Sequence, residues 1–215
     1  MNSYYSDTLY PLQNKVLRII EAAKSHFYLT GGTALSRGYY HHRYSDDLDL
    51  FVNKDPDFQP MSEKIISALQ AQFKIDIRIK SESFYGLNIE SILKLDMIND
   101  VGFHSGDFLN TPLFNHLDNI TNILSNKITA LQSRDEPKDV VDIWMISTHE
   151  AVNWPAIFQD ANSKAVGIFP PEIAKRLTEF PLELLSVIKW EQSAPDQKKF
   201  TSDITNICDQ MLQLK

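Results

Sequence analysis

The stretch 28-YLTGGTALSRGYYHHRYSDDLDLFV-52 combines a glycine pair with acidic residues in an apolar setting. A short apolar strand is expected to end at Gly31 and Gly32, and a short helix is expected to follow. "DDLDLFV" then alternates acidic and apolar residues, which is the period of a β-strand. Because side chains two residues apart on a strand share a face, Asp47 and Asp49 are predicted to project together.

Two carboxylates held side by side on a strand are costly unless a cation meets them. They repel, and each raises the pKa of the other. A divalent cation removes this penalty, and hard oxygen ligands favour Mg²⁺. The alternative for Asp47 and Asp49 is a solvated strand edge on which both acids face water. Asp46 is expected on the opposite side, in solvent.

The glycine pair predicts a phosphate site next to these acids. A turn between a strand and a helix lets the backbone N–H groups of Gly31 and Gly32 approach a phosphate, and the helix N-terminus adds a favourable dipole. Thr33 adds a hydroxyl at the same place. Since glycine pairs also occur in plain turns, the prediction depends on the order of strand, Gly-Gly-Thr, helix and acidic strand.

A third acid, Asp96, lies in the run "ILKLDMI", which is otherwise apolar except for Lys94. As a third carboxylate it would complete a two-metal site, in which three acids bracket two ions that clamp an in-line phosphoryl displacement. A salt bridge from Asp96 to Lys94 or Arg78 is the structural alternative.

Adjacent histidines, His41 and His42, follow the glycine turn. Neighbouring residues on a helix point in different directions, so the two rings cannot easily chelate one ion. No cysteine or third histidine stands nearby at zinc spacing. Both are therefore expected to be partly exposed residues at a helix end.

The rest of the chain predicts an N-terminal αβ region followed by a helical half. Apolar spacing predicts helices over 12–25 and 60–73 and strands over 74–81, 85–91 and 92–100. Later runs begin at Pro, Asp or Asn, as helices often do. The helices predicted there span 121–134, 138–149, 153–164, 170–180, 181–190 and 196–214. We predict two domains, 1–120 and 121–215.

Composition narrows the class of protein. The 215 residues carry a net charge of −7, which argues against nonspecific coating of nucleic acid. The single cysteine, Cys208, excludes an intrachain disulfide and is expected to be a small apolar residue of the last helix. The sequence contains no apolar run of about 18 residues, so we predict no membrane span. The N-terminus lacks the features of a signal peptide. A reduced, cytoplasmic compartment fits these features.

Four blocks carry a resemblance to a known family: "GGTAL", "RYSDDLDLFV", "KLDMI" and "NKITALQSRDEPKDVVDIW". Together they resemble the AbiEii-type toxins, which belong to the nucleotidyltransferase superfamily shared by DNA polymerase beta. The resemblance implies an α+β fold with a mixed β-sheet flanked by helices, followed by a helical C-terminal half. It covers residues 28 to 144, and the later helices match only in general character.

The resemblance implies a role for each matching residue. Asp47 and Asp49 would bind Mg²⁺, and Asp96 would share a metal and help to deprotonate the attacking hydroxyl. The residues implied for nucleotide binding are Gly31, Gly32, Thr33, Arg43, Ser45, Lys127, Arg134, Lys138 and Asp142.

Some of these roles have plainer alternatives. Arg43 and Ser45 would reach the phosphates or brace the acidic strand. Lys127 would point at the phosphates, or it is a plain surface lysine. Lys138 and Asp142 are spaced at i and i+4 on a helix, where an exposed ion pair is the default.

We therefore expect a Mg²⁺-dependent nucleotidyltransferase that moves NMP from an NTP to an acceptor hydroxyl of an RNA 3′ end, such as tRNA, or of a protein. The resemblance also implies a toxin restrained by an antitoxin protein. One alternative is a non-catalytic NTP-binding regulatory module. Another is a nucleotidyltransferase that modifies a small molecule of the antibiotic type, because fold and metal site do not choose the acceptor.

Overall fold

The computed structural model describes residues 3–100 and 102–213, and these residues form two compact units. The first unit comprises the described residues of Met1–Tyr39, Tyr44–Val101 and Asp107–Asp118. The second comprises those of Tyr40–Arg43, Gly102–Gly106 and Asn119–Lys215. The main break thus follows Asp118, and two short segments of the first half belong to the second unit.

The first unit contains a mixed sheet, which has five strands in the described part of the chain. The strands are β1 (Tyr28–Thr30), β2 (Leu48–Asn53), β3 (Ile75–Lys80), β4 (Phe84–Ile89) and β5 (Leu93–Asp100). Their order across the sheet is β1-β2-β5-β4-β3. Strands β2 and β5 are parallel, and the other neighbours are antiparallel. The predicted α+β class with a mixed sheet is confirmed.

Apolar alternation explains how β2 is oriented. Leu48, Leu50 and Val52 are buried, whereas Asp49 and Phe51 on the other face are partly exposed. A one-residue slip would exchange these two faces and bury the acid, so the pattern fixes the register.

In the described part of the first unit, three α-helices accompany the sheet. Helix α1 (Tyr10–Ala22) follows a π-helical turn (Tyr5–Leu9), and α3 (Phe58–Gln70) precedes β3. Helix α2 (Gly31–Leu35) starts directly at the glycine pair and continues as a π-helical segment (Ser36–Tyr40). The apolar stripes of α1 and α3 are buried, as helical periodicity predicts.

The second unit is helical. Its helices are α4 (Ile120–Ser133), α5 (Pro137–His149), α6 (Trp154–Lys164), α7 (Pro170–Thr178) and α8 (Gln197–Leu212). The side chains of Asn119, Asn153 and Asp196 cap α4, α6 and α8 by accepting hydrogen bonds from backbone N–H groups. The helix predicted over 181–190 is instead a short 3₁₀ segment, Leu182–Val187.

A lysine holds α4 and α6 together. The Lys164 side chain is only 6% exposed. Its Nζ donates to Asn122 Oδ1 (2.8 Å), Ser125 Oγ (2.9 Å) and Asn126 Oδ1 (2.8 Å) on α4, and to Asp160 Oδ2 (3.0 Å) on α6. Four oxygen acceptors replace the water that the ammonium loses on burial, which makes this cation a structural link.

Within the residues that the structure describes, no helix is both long and apolar enough to cross a membrane. Cys208 is buried on α8, and burial raises the pKa of its thiol to about 11. It is therefore a packed thiol at neutral pH, as predicted.

Candidate active site

The sheet brings Asp49 and Asp96 together. Strands β2 and β5 run parallel with Asp49 directly beside Asp96, and the other neighbour of Asp49 is Thr30 at the end of β1. Asp47 stands immediately before β2. Asp47 and Asp49 are partly exposed, whereas Asp96 is only 7% exposed. The three sequence-predicted acids thus lie on, or directly before, two neighbouring strands, at the level where β2 begins.

The glycine turn is built against the Asp49 carboxylate. Gly31 has a φ of +70°, which is the left-handed region that favours glycine. A Cβ at this position would lie 2.6 Å from Asp49 Oδ2. Any side chain would therefore push the carboxylate away, so the absence of a Cβ lets the turn and the acid meet.

Two predicted phosphate-binding hydroxyls brace the chain before β2. Thr33 is fully buried, and its hydroxyl donates to the carbonyl of Asp47; Ser45 Oγ lies 2.9 Å from Thr33 Oγ1. Gln13 Nε2 donates to the carbonyls of Ser45 (3.2 Å) and Asp46 (3.1 Å). These bonds fix the approach to the acidic strand. Contact of Thr33 or Ser45 with a phosphate stays a prediction.

Asp46 differs from its expected position in solvent. It is half-buried, and its Oδ1 accepts a hydrogen bond of 2.6 Å from the Tyr5 hydroxyl. The Tyr5 ring in turn stacks on Tyr44, with centroids 4.0 Å apart. A π-helical turn that the sequence analysis did not predict carries Tyr5, which explains the error.

Asp96 engages two cations. Arg78 Nη2 lies 2.5 Å from Asp96 Oδ1, and Lys94 Nζ lies 2.8 Å from Asp96 Oδ2. The structural alternative from the sequence analysis is therefore present with both partners at once. Among the described residues, no three His, Cys, Asp or Glu side chains are gathered so that they could hold a metal ion. Asp96 thus does not join Asp47 and Asp49 as an open third ligand.

All three acids nevertheless raise the pKa of one group, the Lys94 ammonium. Burial alone would lower its pKa, but the hydrogen bond to Asp96 and the charges of Asp96, Asp47 and Asp49 outweigh burial and raise the pKa. The carboxylates of Asp47 and Asp49 are hard oxygen donors of the kind that Mg²⁺ prefers. Asp47 and Asp49 therefore have the donor chemistry of a magnesium site, whereas both oxygens of Asp96 are engaged by cations.

Arg78 reaches Asp96 because of two features that sequence reasoning did not combine. The register between β3 and β4 shifts between Ile77 and Ile79, so Arg78 stands at a β-bulge, which re-aims a side chain. Gly86 on β4 pairs with Asp96, and a Cβ there would lie 2.9 Å from Arg78 Nη2. The guanidinium therefore crosses β4 where the strand has no side chain. The lone glycine in a strand was the available signal.

In the second unit, Asp142 is the centre of a buried ionic cluster. It is completely buried. Its Oδ1 accepts from Arg43 Nε (2.8 Å) and lies 2.9 Å from His42 Nε2; its Oδ2 lies 2.7 Å from both Arg43 Nη2 and Lys127 Nζ. Burial would raise the pKa of Asp142, but the charges of Arg43 and Lys127 and these hydrogen bonds hold it well below its usual value.

The cluster continues to Asp139. Lys127 Nζ lies 2.7 Å from Asp139 Oδ1, and Arg134 Nε lies 2.7 Å from Asp139 Oδ2. Burial would raise the pKa of Asp139, but the charges of Lys127 and Arg134 lower it. Lys127 is 7% exposed, so the surface-lysine alternative is wrong. These contacts position the basic residues, and their contact with a nucleotide stays a prediction.

Two sequence expectations need correction here. His42 is 1% exposed and bonded to Asp142, so it is not a partly exposed residue, whereas His41 is exposed. The exposed Lys138–Asp142 pair is also wrong, because Asp142 is buried and its ion-pair partners are Arg43, Lys127 and His42. Lys138 is exposed at the start of α5. The partners of Asp142 are about a hundred residues away in sequence or on another helix, where local spacing carries no information.

Solved structures of other proteins share this fold. The fold is similar to MenT4, a nucleotidyltransferase toxin from Mycobacterium tuberculosis H37Rv, with a TM-score of 0.63 and 10% identity over 99% of this chain and 86% of that one. It is also similar to JHP933 from Helicobacter pylori, with a TM-score of 0.55 and 17% identity over 94% and 90% of the two chains. Among curated proteins, none matches this sequence.

These identities show a shared fold, and the family profile goes further. The profile described as "Nucleotidyl transferase AbiEii toxin, Type IV TA system" matches residues 16–210, which include both the acidic strands and the buried ionic cluster. The chain therefore belongs to the AbiEii nucleotidyltransferase toxin family.

Proposed function

We propose that this toxin transfers a nucleoside monophosphate from an NTP to the 3′ hydroxyl of an RNA, with Mg²⁺ as its cofactor. The observation that carries the proposal is the position of Asp49, which lies against the Gly31 turn and beside Asp96. A glycine turn at the start of a helix suits a phosphate, and an adjacent pair of carboxylates suits the metal that accompanies it.

The residues of the chain would divide the work as follows. Asp47 and Asp49 would hold Mg²⁺, which neutralises charge on the triphosphate when bound. The start of α2 would orient the phosphates. The acceptor oxygen then bonds to the α-phosphorus as the bond to the leaving pyrophosphate breaks, and the hydroxyl proton passes to a base. Asp96 would share the metal and be that base once an oxygen is released from Lys94.

Basic residues of the second unit are further candidates for the nucleotide. The Arg134 side chain is 56% exposed although its guanidinium binds Asp139, and Lys138 is exposed. Both therefore present positive charge to solvent, where a triphosphate can meet it. Arg43 and Lys127 would act from inside the cluster, by keeping it positive and rigid.

The family also supports a biological setting. A toxin that modifies RNA in the cytoplasm would be restrained by an antitoxin protein made by the same cell. We propose this pairing for the present chain, together with a cytoplasmic location.

The test is a transfer assay with one matched pair of variants. The full chain is incubated with each α-³²P-labelled NTP, Mg²⁺ and total RNA, and label is followed on RNA and on protein. Asp49→Asn removes one charge from the site, while Asp76→Asn makes the same change at an exposed position of β3. We expect label on RNA with the wild type and Asp76→Asn, and a loss of at least about a hundredfold with Asp49→Asn.

Other outcomes of this assay contradict the proposal. Label on protein alone would replace RNA by a protein acceptor. Transfer that survives both Asp49→Asn and chelation of Mg²⁺ would remove the metal site from the mechanism.

A second candidate function is supported by the ion pairs of Asp96. Because both of its oxygens engage cations, the chain could hold an NTP as a signal without turning it over. Tight NTP binding with no labelled product from any acceptor would favour this regulatory role.

A further inference from the structure

The two cations on Asp96 are held in different ways. Lys94 stands two residues before Asp96 on the same strand, so both side chains share a face of the sheet. Its side chain is 42% exposed and contacts Asp96 Oδ2 through a single ammonium. A lysine is a compact charge on a flexible four-carbon stem, so this partner can leave at little conformational cost.

Arg78 is the more firmly placed partner. It leaves β3 at the bulge and crosses β4 over Gly86 to reach Asp96 Oδ1. Its side chain is 26% exposed, and the edge of the Phe84 ring lies 3.1 Å from the position that a Gly86 Cβ would take, next to the guanidinium. The planar guanidinium is thus confined by backbone and ring.

The negative charges near Lys94 are those that a cation-binding site would provide. Its ammonium bonds Asp96 and is also stabilised by the charges of Asp47 and Asp49. These are the carboxylates to which the proposed function assigns the metal. The ammonium holds an oxygen of Asp96 that the metal would also use, and two cations at that oxygen exclude each other because like charges repel at short range.

We propose that Lys94 is a built-in competitor of the divalent cation for Asp96. Its ammonium must release Asp96 Oδ2 before that oxygen can bind metal or accept a proton, while Arg78 keeps its bond to Oδ1. This inference rests on the proposed function and deepens it. It makes Lys94 a positioning residue that keeps Asp96 closed until a ligand with more charge arrives.

The released ammonium would also have a new partner, a phosphate oxygen of the nucleotide. A metal–triphosphate brings four phosphate negative charges against two metal charges, so the ligand as a whole is anionic at neutral pH. Lys94 can therefore exchange a carboxylate for a phosphate oxygen without losing a partner. Metal and nucleotide then bind together more tightly than each binds alone, which is a coupling between two ligands.

The experiment measures Mn²⁺ binding to the full chain without nucleotide, by electron paramagnetic resonance of the free ion. Lys94→Met removes the competitor but keeps the stem, and Lys94→Arg keeps the charge. Lys74→Met is the matched control, since Lys74 is exposed just before β3 and makes the same change in net charge. Circular dichroism and the Tm check that each variant is folded.

We expect Lys94→Met to bind Mn²⁺ about tenfold more tightly than the wild type, since the loss of one adjacent positive charge favours the ion. Lys94→Arg and Lys74→Met should stay within about twofold. In Lys94→Met the addition of a nonhydrolysable NTP should tighten Mn²⁺ binding less than it does in the wild type, because the ammonium no longer moves to the phosphates.

Unchanged or weaker binding in Lys94→Met overturns the inference, and so does an equal gain in Lys74→Met, because the effect would then be one of net charge. Failure to detect Mn²⁺ binding in both the wild type and Lys94→Met overturns it as well. The proposed function is judged separately by the transfer assay, so labelled RNA together with an unchanged Mn²⁺ affinity would refute the role of Lys94 and keep the nucleotidyltransferase.

Discussion

Replacement of Asp142 by asparagine tests whether the buried ionic cluster stabilises the second unit. The substitution keeps the size of the side chain and removes its negative charge. The new side chain would present an amide to Arg43, Lys127 and His42, whose bonds to Asp142 are 2.7–2.9 Å long. Arg43 loses two bonds to the carboxylate, whereas Lys127 loses one and keeps Asp139.

The expected loss of stability is large because the ionic cluster is buried away from solvent. Asp142 is completely buried and Arg43 is 3% exposed. Removal of one partner from a buried ion pair costs about 3–5 kcal/mol. The matched control is Asp135→Asn, which breaks a 2.7 Å pair with Arg176 but has a side chain that is 90% exposed. Exposed pairs contribute about 0–1 kcal/mol.

Urea unfolding followed by tryptophan fluorescence measures this difference. Trp144, Trp154 and Trp190 all belong to the second unit, so the signal reports on the unit that contains Asp142. With a slope of about 1.5 kcal/mol per molar urea, the expected loss lowers the midpoint by roughly 2–3 M. If Asp142→Asn and Asp135→Asn shift the midpoint equally, the cluster does not stabilise the unit as argued.

The same carboxylate predicts a dependence on pH. The folded-state pKa of Asp142 lies well below the ordinary value, and the unfolded chain has a pKa near about 3.9. A depressed pKa stabilises the fold above the unfolded value, and this contribution is lost as the pH falls from there toward the folded pKa. Between pH 5 and pH 3, the wild type should therefore lose more stability than Asp142→Asn.

Two further predictions concern the other close contacts. Gly31→Ala should lower the free energy of unfolding by about 1–2 kcal/mol, the cost of a left-handed backbone at a residue with a Cβ; it should also abolish transfer, because that Cβ would lie 2.6 Å from Asp49 Oδ2. A normal rate in the ³²P assay would contradict this. Lys164→Met should cost about 3–5 kcal/mol by urea unfolding, since it leaves Asp160 without its cation. The exposed Lys175→Met should cost less than about 0.5 kcal/mol, and equal losses would refute the structural role of Lys164.

Local patterns predicted most of the elements. Alternation placed β2 and β5, and the Asn and Pro residues at helix starts placed α6 and α7 within a few residues. The errors in secondary structure occur in helical segments whose backbone hydrogen bonds do not follow the i to i−4 pattern of an α-helix. The π-helical segments and the 3₁₀ segment Leu182–Val187 have apolar spacings close to those of an α-helix, so hydrophobic period alone does not distinguish them.

The site was predictable in its residues and less so in their partners. The acids were selected because carboxylates on apolar strands need a reason, and β2 and β5 do place Asp49 beside Asp96. The ion pair of Asp96 with Arg78 depends on a bulge and on the pairing of Gly86, neither of which appears in local periodicity. The burial of His42 against Asp142 joins residues 100 positions apart, and a sequence window of one helix contains only one of them.

The irregular register of β3 also affects how copies of the protein meet one another. Within the described residues, β3 is an outer strand of the sheet, and it exposes Ile77 and Ile79 by 41% and 49%. A regular apolar outer strand is a template for a strand from another molecule. The bulge at Arg78 interrupts the row of backbone donors and acceptors with which an incoming strand would pair. A deletion that straightened β3 would thus do more than misdirect one arginine, because it would favour edge-to-edge aggregation.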